Sequence, residues 1–344
     1  MKKIKYPSIS ILTITYNPNL SIFENVLRSI KKQDYPKNKI EHIVVDGGSS
    51  KQALELMKKY KCKVLVMKNL RDQSEARRSY ALKKAKNQIV FCLESDNILP
   101  SKNTLFNLIK PFMEDNQIIA TYTHHYGYNK KMSVIDRYCA LFGVSDPLVF
   151  YLGKADREWW VNKQYKKGKI IKIGKEYDVV EFNTKNLPTV GDNGFLTKRE
   201  ILLKAKTSPK NYLHIDVYVD LLKIGYKRFG VVKSTQINHV IGNSLIDLVK
   251  RRVLYLKRFS LSEYALVRRY SVLDLSSSVD KKNLVKYILF TVTIVEPLYR
   301  SIKGFLRIKD VSWFIHPLAC WLFLIYYTRF TAIYLIKLKL KGKI

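Results

Sequence analysis

Glu94 and Asp96, in Glu94-Ser95-Asp96-Asn97, stand two residues apart just past an apolar run, residues 88–93, of the length and type of a buried strand. Carboxylates at that spacing and place can share a hard divalent cation that bridges a diphosphate, the plainer role being a polar strand-to-loop cap. Asp46 ends a second β-branched run and precedes Gly47 and Gly48. A carboxylate there can accept from a base N–H or a ribose hydroxyl while the glycines allow close backbone approach; otherwise it closes an Asx turn. Arg77 lies one turn into a helical pattern and could pair with diphosphate or stack on a base, whereas Arg78 suits a solvated helix face. His239, in Asn238-His239-Val240, could complete a metal site or touch phosphate, although a lone histidine is more often a core or surface residue.

These residues need a frame, and the first hundred residues supply one. Residues 8–15 (SISILTIT) form a β-branched run that ends at Tyr16-Asn17-Pro18, and Ile22, Phe23, Val26, Leu27 and Ile30 then recur at helical spacing. Strands are expected at 40–45, 63–67 and 88–93, with helices at 52–60 and 74–85 between them. Strands alternating with helices of this length predict an α/β fold with a mostly parallel sheet, which binds ligands at the carboxyl ends of its strands. Tyr16-Asn17, Asp46-Gly47-Gly48 and Glu94-Ser95-Asp96 all fall at such ends. Residues 125–235 read as less regular, with a helix pattern at 214–224 and a strand at 228–232. Tyr138 to Tyr151 reads either as a membrane-dipping helix or as core.

Composition bounds the partners. The 344 residues carry 62 Lys+Arg against 28 Asp+Glu, a net charge of +34 that calls for a polyanionic partner. Nucleic acid is disfavoured, because no zinc pattern, helix-turn-helix or RNP-like aromatic strand is present. Cys62, Cys92, Cys139 and Cys320 form no C-x-x-C pair and read as buried thiols. The start, Met-Lys-Lys-Ile-Lys-Tyr-Pro, does not have the form of a secretory signal.

The end of the chain changes character. Residues 247–269 carry seven basic and two acidic residues interleaved with apolar ones, a pattern suited to an anionic lipid surface, to a polyprenyl-diphosphate head group or to an ordinary packed helix. Ser276-Ser277-Ser278 reads as a linker. Two apolar stretches follow, 284–298 and the 18 uncharged residues 311–328, with lysines and arginines at every boundary. In-plane or re-entrant helices would keep all these basic stretches cytoplasmic, whereas two full spans would put the middle one outside. The expected organisation is an α/β ligand-binding domain over 1–240, a basic amphipathic linker over 241–280 and membrane-associated helices with a basic tail over 281–344. The domain over 1–240 is expected on the cytoplasmic side.

SISILTITYNP, a helix with Ser29-Ile30 and Gln33, IEHIVVDGGSS and EARRSYALKKAKNQIVFCLESDN, in that order, resemble family 2 glycosyltransferases of the GT-A (Rossmann-like) fold over about residues 7 to 235. The resemblance implies an inverting transfer from a nucleoside-diphosphate sugar, UDP favoured, with Mg²⁺ or Mn²⁺. It places Thr15, Tyr16 and Asp46 around the nucleoside, Arg77 as a helper, and Glu94 with Asp96 as the D-x-D pair. Glu94 departs from the usual Asp, and Lys51 stands where the family often has another Asp. Metal ligation then rests mainly on Asp96, with His239 as a candidate third ligand and Glu94 acting through ribose or water. An inverting transfer also needs a base near the acceptor hydroxyl. Gly191-Asp192-Asn193-Gly194 resembles the family's acceptor loop and His214-Ile215-Asp216 its later acidic position. Asp216 is therefore the expected base and Asp192 its rival, otherwise orienting the acceptor or sugar. The acceptor is expected to be a lipid-linked or membrane-presented glycan. The alternatives are a polyprenyl-phosphate glycosyltransferase and a degenerate transferase serving as a membrane scaffold.

Overall fold

The computed structural model describes residues 6–242, 244–260 and 264–340. It divides into two compact units, Met1–Gly127 with Gln164–Val240 and Tyr128–Lys163 with Ile241–Ile344.

The first unit opens with β1 (Ile9–Thr15), α1 (Leu20–Lys31), β2 (Ile40–Asp46), α2 (Lys51–Lys59), β3 (Lys63–Val66), α3 (Ser74–Lys84) and β4 (Ile89–Cys92). Every residue of β1 is buried, which explains a run of β-branched residues with no polar alternation. α1 begins where the Asn19 side chain accepts from the Ile22 N–H, and it turns Phe23, Val26, Leu27 and Ile30 inward. These side chains meet Ile9, Ile11, Val44 and Phe91 in one core. Burying one such side chain stabilises the fold by about 1.5–3 kcal/mol.

The chain continues through β5 (Asn97–Ile98), α4 (Thr104–Glu114) and β6 (Ala120–Thr123). It then contributes α5 (Val134–Phe142) and α6 (Pro147–Tyr151) to the second unit. It returns as β7 (Lys169–Ile173), β8 (Tyr177–Glu181), β9 (Phe195–Lys198), α7 (Arg199–Leu202), α8 (Asp216–Lys223), β10 (Arg228–Val232) and β11 (Asn238–His239). The nine-stranded sheet has the order β3-β2-β1-β4-β9-β6-β10-β8-β7. Only β8 and β9 run against the rest, so the sheet is mixed in pairing although most strands share one direction. The stretch that reads as irregular thus holds the β7–β8 hairpin and β9. β7 is a lysine-bearing edge strand, and its polarity masks the strand signal.

Register matters most at the carboxyl ends. Thr15 pairs with Asp46 and Asp46 with Val66, so the loops after β1, β2 and β3 leave the sheet at one level. A separate two-stranded ribbon pairs Asn97 with His239 and Ile98 with Asn238.

The second unit adds α9 (Leu245–Ser260), α10 (Tyr264–Val267), α11 (Ser278–Thr293), α12 (Val295–Arg307) and α13 (Ile315–Leu340) to α5 and α6. Trp313, Phe142, Tyr138, Leu248, Val249 and Phe323 form its core, so the 138–151 stretch is largely interior. Residues 261–263 of the expected basic helix, and 341–344 of the basic tail, lie outside the described residues. Ser277 accepts from the Asp280 N–H and caps α11, so the serine tract starts a helix rather than linking two regions. The 284–298 stretch is broken at Ile294, whose φ of 62° ends α11 before Pro297 enters the first turn of α12. Residues Val311–Leu340 form a 30-residue helical stretch long and apolar enough to cross a bilayer. Val295, Leu298, Ile302 and Leu306 of α12 are exposed.

Candidate active site

At the end of β1 the Thr15 side chain is buried, and its Oγ1 has no hydrogen-bond partner among the described residues. The next residue, Tyr16, is 37% exposed, with the Arg71 guanidinium 5.0 Å from its ring centroid. Asp46 is fully buried. Its Oδ2 accepts the backbone N–H groups of Gly48 and Ser49, each at 2.7 Å, and its Oδ1 accepts the Ser49 hydroxyl. That is the Asx turn foreseen as the plainer role, and it fixes the loop beside Tyr16.

Arg77 lies beneath these loops. Its Nη1 donates to the carbonyls of Thr15 and Val45, and its Nη2 to that of Arg71 at 3.1 Å. Gly47 comes so close that a Cβ there would lie 3.1 Å from Nη1. The guanidinium therefore ties the ends of β1 and β2 to the loop ahead of α3. Arg78 corrects its expected place on a solvated face. It is 4% exposed, pairs with Glu94 through Nη1, and has its Nε 3.7 Å from Glu75.

Glu94 and Asp96 separate in role. Glu94 is bound to Arg78, and burial pushes its carboxyl above the ordinary value, Asp192 and Asp96 adding to the rise that Arg78 opposes. Asp96 is one-third exposed. Its Oδ1 accepts from Asn97 at 3.0 Å, and its Oδ2 lies 3.6 Å from His239 Nε2. The β5–β11 ribbon produces that approach, helped by a bond from the Val240 N–H to the Asp96 carbonyl at 2.9 Å. Among the described residues no group of three or more His, Cys, Asp or Glu side chains converges as a metal site. Asp96 and His239 bring two such donors to within 3.6 Å of each other.

The 191–194 loop completes this edge. Gly191 has φ +116°, and a Cβ there would fall 2.2 Å from the His214 carbonyl, so only glycine fits. Asp192 keeps about a quarter of its side chain exposed and sets its Oδ2 3.7 Å from His214 Nε2. Asp216, the expected base, is fully buried in the first turn of α8. Of the two rival carboxylates, Asp192 is the one with access to solvent. Glu75, Arg78 and His214 stand out only in three dimensions. Glu75 reads as an ordinary first-turn acid, and His214 lies 139 residues from it.

The model of glycosyl transferase family 2 matches residues 10–184, just over half of the chain and inclusive of the Asp46 loop and the acidic pair. The chain is a family 2 glycosyltransferase. The transferase is 37% identical over 100 residues to poly(ribitol-phosphate) beta-N-acetylglucosaminyltransferase TarS of Staphylococcus aureus. That match covers 28% of this chain and only 17% of TarS. Among solved structures it resembles the mannosyltransferase PcManGT of Pyrobaculum calidifontis, in complex with GDP-Man and Mn²⁺, at TM-score 0.51 and 14% identity. That superposition covers 95% of this chain and 88% of PcManGT and shows a shared GT-A fold. A crystal structure of TarS aligns at TM-score 0.46 and 18% identity, over 75% of this chain and 41% of that one.

Proposed function

We propose that the protein transfers a sugar, with inversion, from a nucleoside-diphosphate sugar to a lipid-linked or membrane-presented glycan. The observation that carries this reading is the gathering at one sheet edge of the loop after β1, the Asp46 turn, and Asp96 with His239. Thr15 Oγ1 is a buried hydroxyl without a partner among the described residues, and leaving such a group unsatisfied costs about 1–3 kcal/mol. A nucleoside seated on Tyr16 can supply the missing bond, while Asp46 and Arg77 hold the loop shape from beneath. UDP is the favoured nucleotide; the N-acetylglucosaminyl transfer in the name of TarS is a property of that relative.

The Asp96 carboxylate suits Mg²⁺ or Mn²⁺, and the imidazole beside it would favour Mn²⁺, with water and the donor's phosphates left to complete the shell. When bound there, such a cation would neutralise charge on the leaving diphosphate. Asp96 and His239 would hold it, with Glu94 kept aside by Arg78. Of the two candidate acids, Asp192 is the one that can reach an acceptor hydroxyl.

The second unit suits a membrane. Positive charge at its helix boundaries and the exposed apolar residues of α11, α12 and α13 match an anionic bilayer surface, with the catalytic unit on the cytoplasmic side. The net charge of +34 also favours an anionic acceptor.

The test is nucleoside-diphosphate release from UDP-, GDP- and TDP-sugars by detergent-solubilised protein with Mn²⁺ or EDTA, beside Asp96→Ala. Metal-dependent release from one donor, lost in the variant, is expected. No release and no thermal shift with any nucleotide would favour a membrane scaffold instead.

A further inference from the structure

His214 precedes α8, and Glu75 of α3 grips it at two points. Glu75 Oε2 accepts the backbone N–H of His214 at 2.9 Å, and Oε1 lies 2.8 Å from the ring Nδ1. With Glu75 ionised, that second bond needs a proton on Nδ1, so the neutral ring keeps its Nε2 lone pair free to accept. Nε2 faces Asp192, whose Oδ2 is 3.7 Å away. That separation is too long for a direct hydrogen bond and leaves the pair able to share a hydroxyl. Gly191 locks the arrangement, because its backbone presses on the His214 carbonyl where no side chain would fit.

We propose that His214, oriented by Glu75, is the general base of the transfer, and that Asp192 orients the acceptor hydroxyl. The assignment rests on the sugar-transfer reading above. In the step it describes, the acceptor oxygen bonds to the anomeric carbon as the carbon–oxygen bond to the diphosphate breaks. The bonding electron pair leaves with the nucleoside diphosphate, and the hydroxyl proton passes to His214 Nε2. The resulting imidazolium lies between two carboxylates, as a positive charge formed in a transition state should. The division of labour is that of a serine-protease histidine and its aspartate, with a sugar hydroxyl in place of serine.

The groups facing His214 are Glu75 and Arg78 from α3 and Asp192 from the 191–194 loop; Asp216 opens α8 two residues after it. Burial draws the imidazole down, Glu75 and Asp192 raise it by more, Arg78 opposes them, and the net displacement is upward. Glu75 sits at about 2: burial raises it, but His214 and Arg78 pull it down further, so it stays ionised wherever the enzyme works. The sign for activity follows. A neutral imidazole is the active form, so the rate is lost as pH falls through the His214 midpoint. A carboxylate base would keep its activity down to about pH 4.

The experiment is the pH profile of kcat/KM for full-length protein in detergent, with UDP binding measured separately by calorimetry. The wild type is expected to show an acid limb above about pH 6.5. His214→Gln should lower kcat by about 100-fold or more with UDP affinity retained. Glu75→Gln should lower kcat with UDP affinity retained and move the limb of the remaining activity to lower pH, which tests the assignment even if His214→Gln does not fold. An active wild type with a limb near pH 4, or one whose limb is indifferent to Glu75→Gln, overturns the assignment alone. A wild type that releases no nucleotide from any donor overturns the transfer reading and this assignment with it.

Discussion

Arg77→Lys separates support from recognition. The guanidinium makes hydrogen bonds to three main-chain carbonyls, those of Thr15, Val45 and Arg71, from a position 4% exposed to solvent. An ammonium on a thinner stem can keep one of them. Each bond from a charged donor contributes about 1.5–3 kcal/mol, so losing two costs roughly 3 kcal/mol even at the low end. For a unit of this size that lowers Tm by roughly 6–12 °C, at about 2–4 °C per kcal/mol. The assay is thermal unfolding of the full-length protein in detergent, paired with donor KM measured well below the transition. The expected result is a large drop in Tm with KM for donor within about threefold of wild type, under 1 kcal/mol of binding energy. A variant with unchanged Tm and a KM raised about tenfold would refute the reasoning and put Arg77 on the nucleotide.

Three further outcomes follow from the same geometry. Gly191→Ala should destabilise by well over about 1 kcal/mol in chemical denaturation, since φ +116° and a 2.2 Å approach to the His214 carbonyl both exclude a Cβ. Tyr16→Ala should leave Tm unchanged, the ring being exposed, while weakening UDP binding by about 1–3 kcal/mol in calorimetry if the base stacks there. Replacing the exposed Lys303 and Arg307 together by Glu should reduce co-sedimentation with anionic vesicles by at least about tenfold, at about 1 kcal/mol per basic residue, without affecting nucleotide release from soluble donors.

Some of this was legible in the chain. β1 and the inner part of β2 are buried, so their β-branched runs give the strands nearly to the residue. The acidic and glycine-rich loops follow directly, because turns at strand ends declare themselves by residue type. The two arginines of α3 were harder. Sequence favoured Arg77 as a ligand and Arg78 as solvated, yet both are interior, because the helix buries nearly every residue from Glu75 to Ser79 and has no polar face to read. The β7–β8 hairpin escaped because edge lysines dilute its apolar alternation. The Glu75–His214 grip joins residues 139 apart, and no local pattern encodes such a meeting. Asp216 illustrates the reverse failure: an acid at a helix start looks available in one dimension and is sealed in three.

The crowding of α3 has a consequence for anyone who would re-engineer donor choice. Within four consecutive residues, one helix carries the brace under the ends of β1 and β2 (Arg77), the counter-ion of Glu94 (Arg78) and the clamp on His214 (Glu75). Loops grafted from a relative with another sugar preference would arrive without their foundations unless residues 74–78 travelled with them. The smallest transplantable module in this enzyme is therefore a set of loops together with the first turn of α3, and libraries that vary the loops alone should yield mostly misfolded or inert chimaeras.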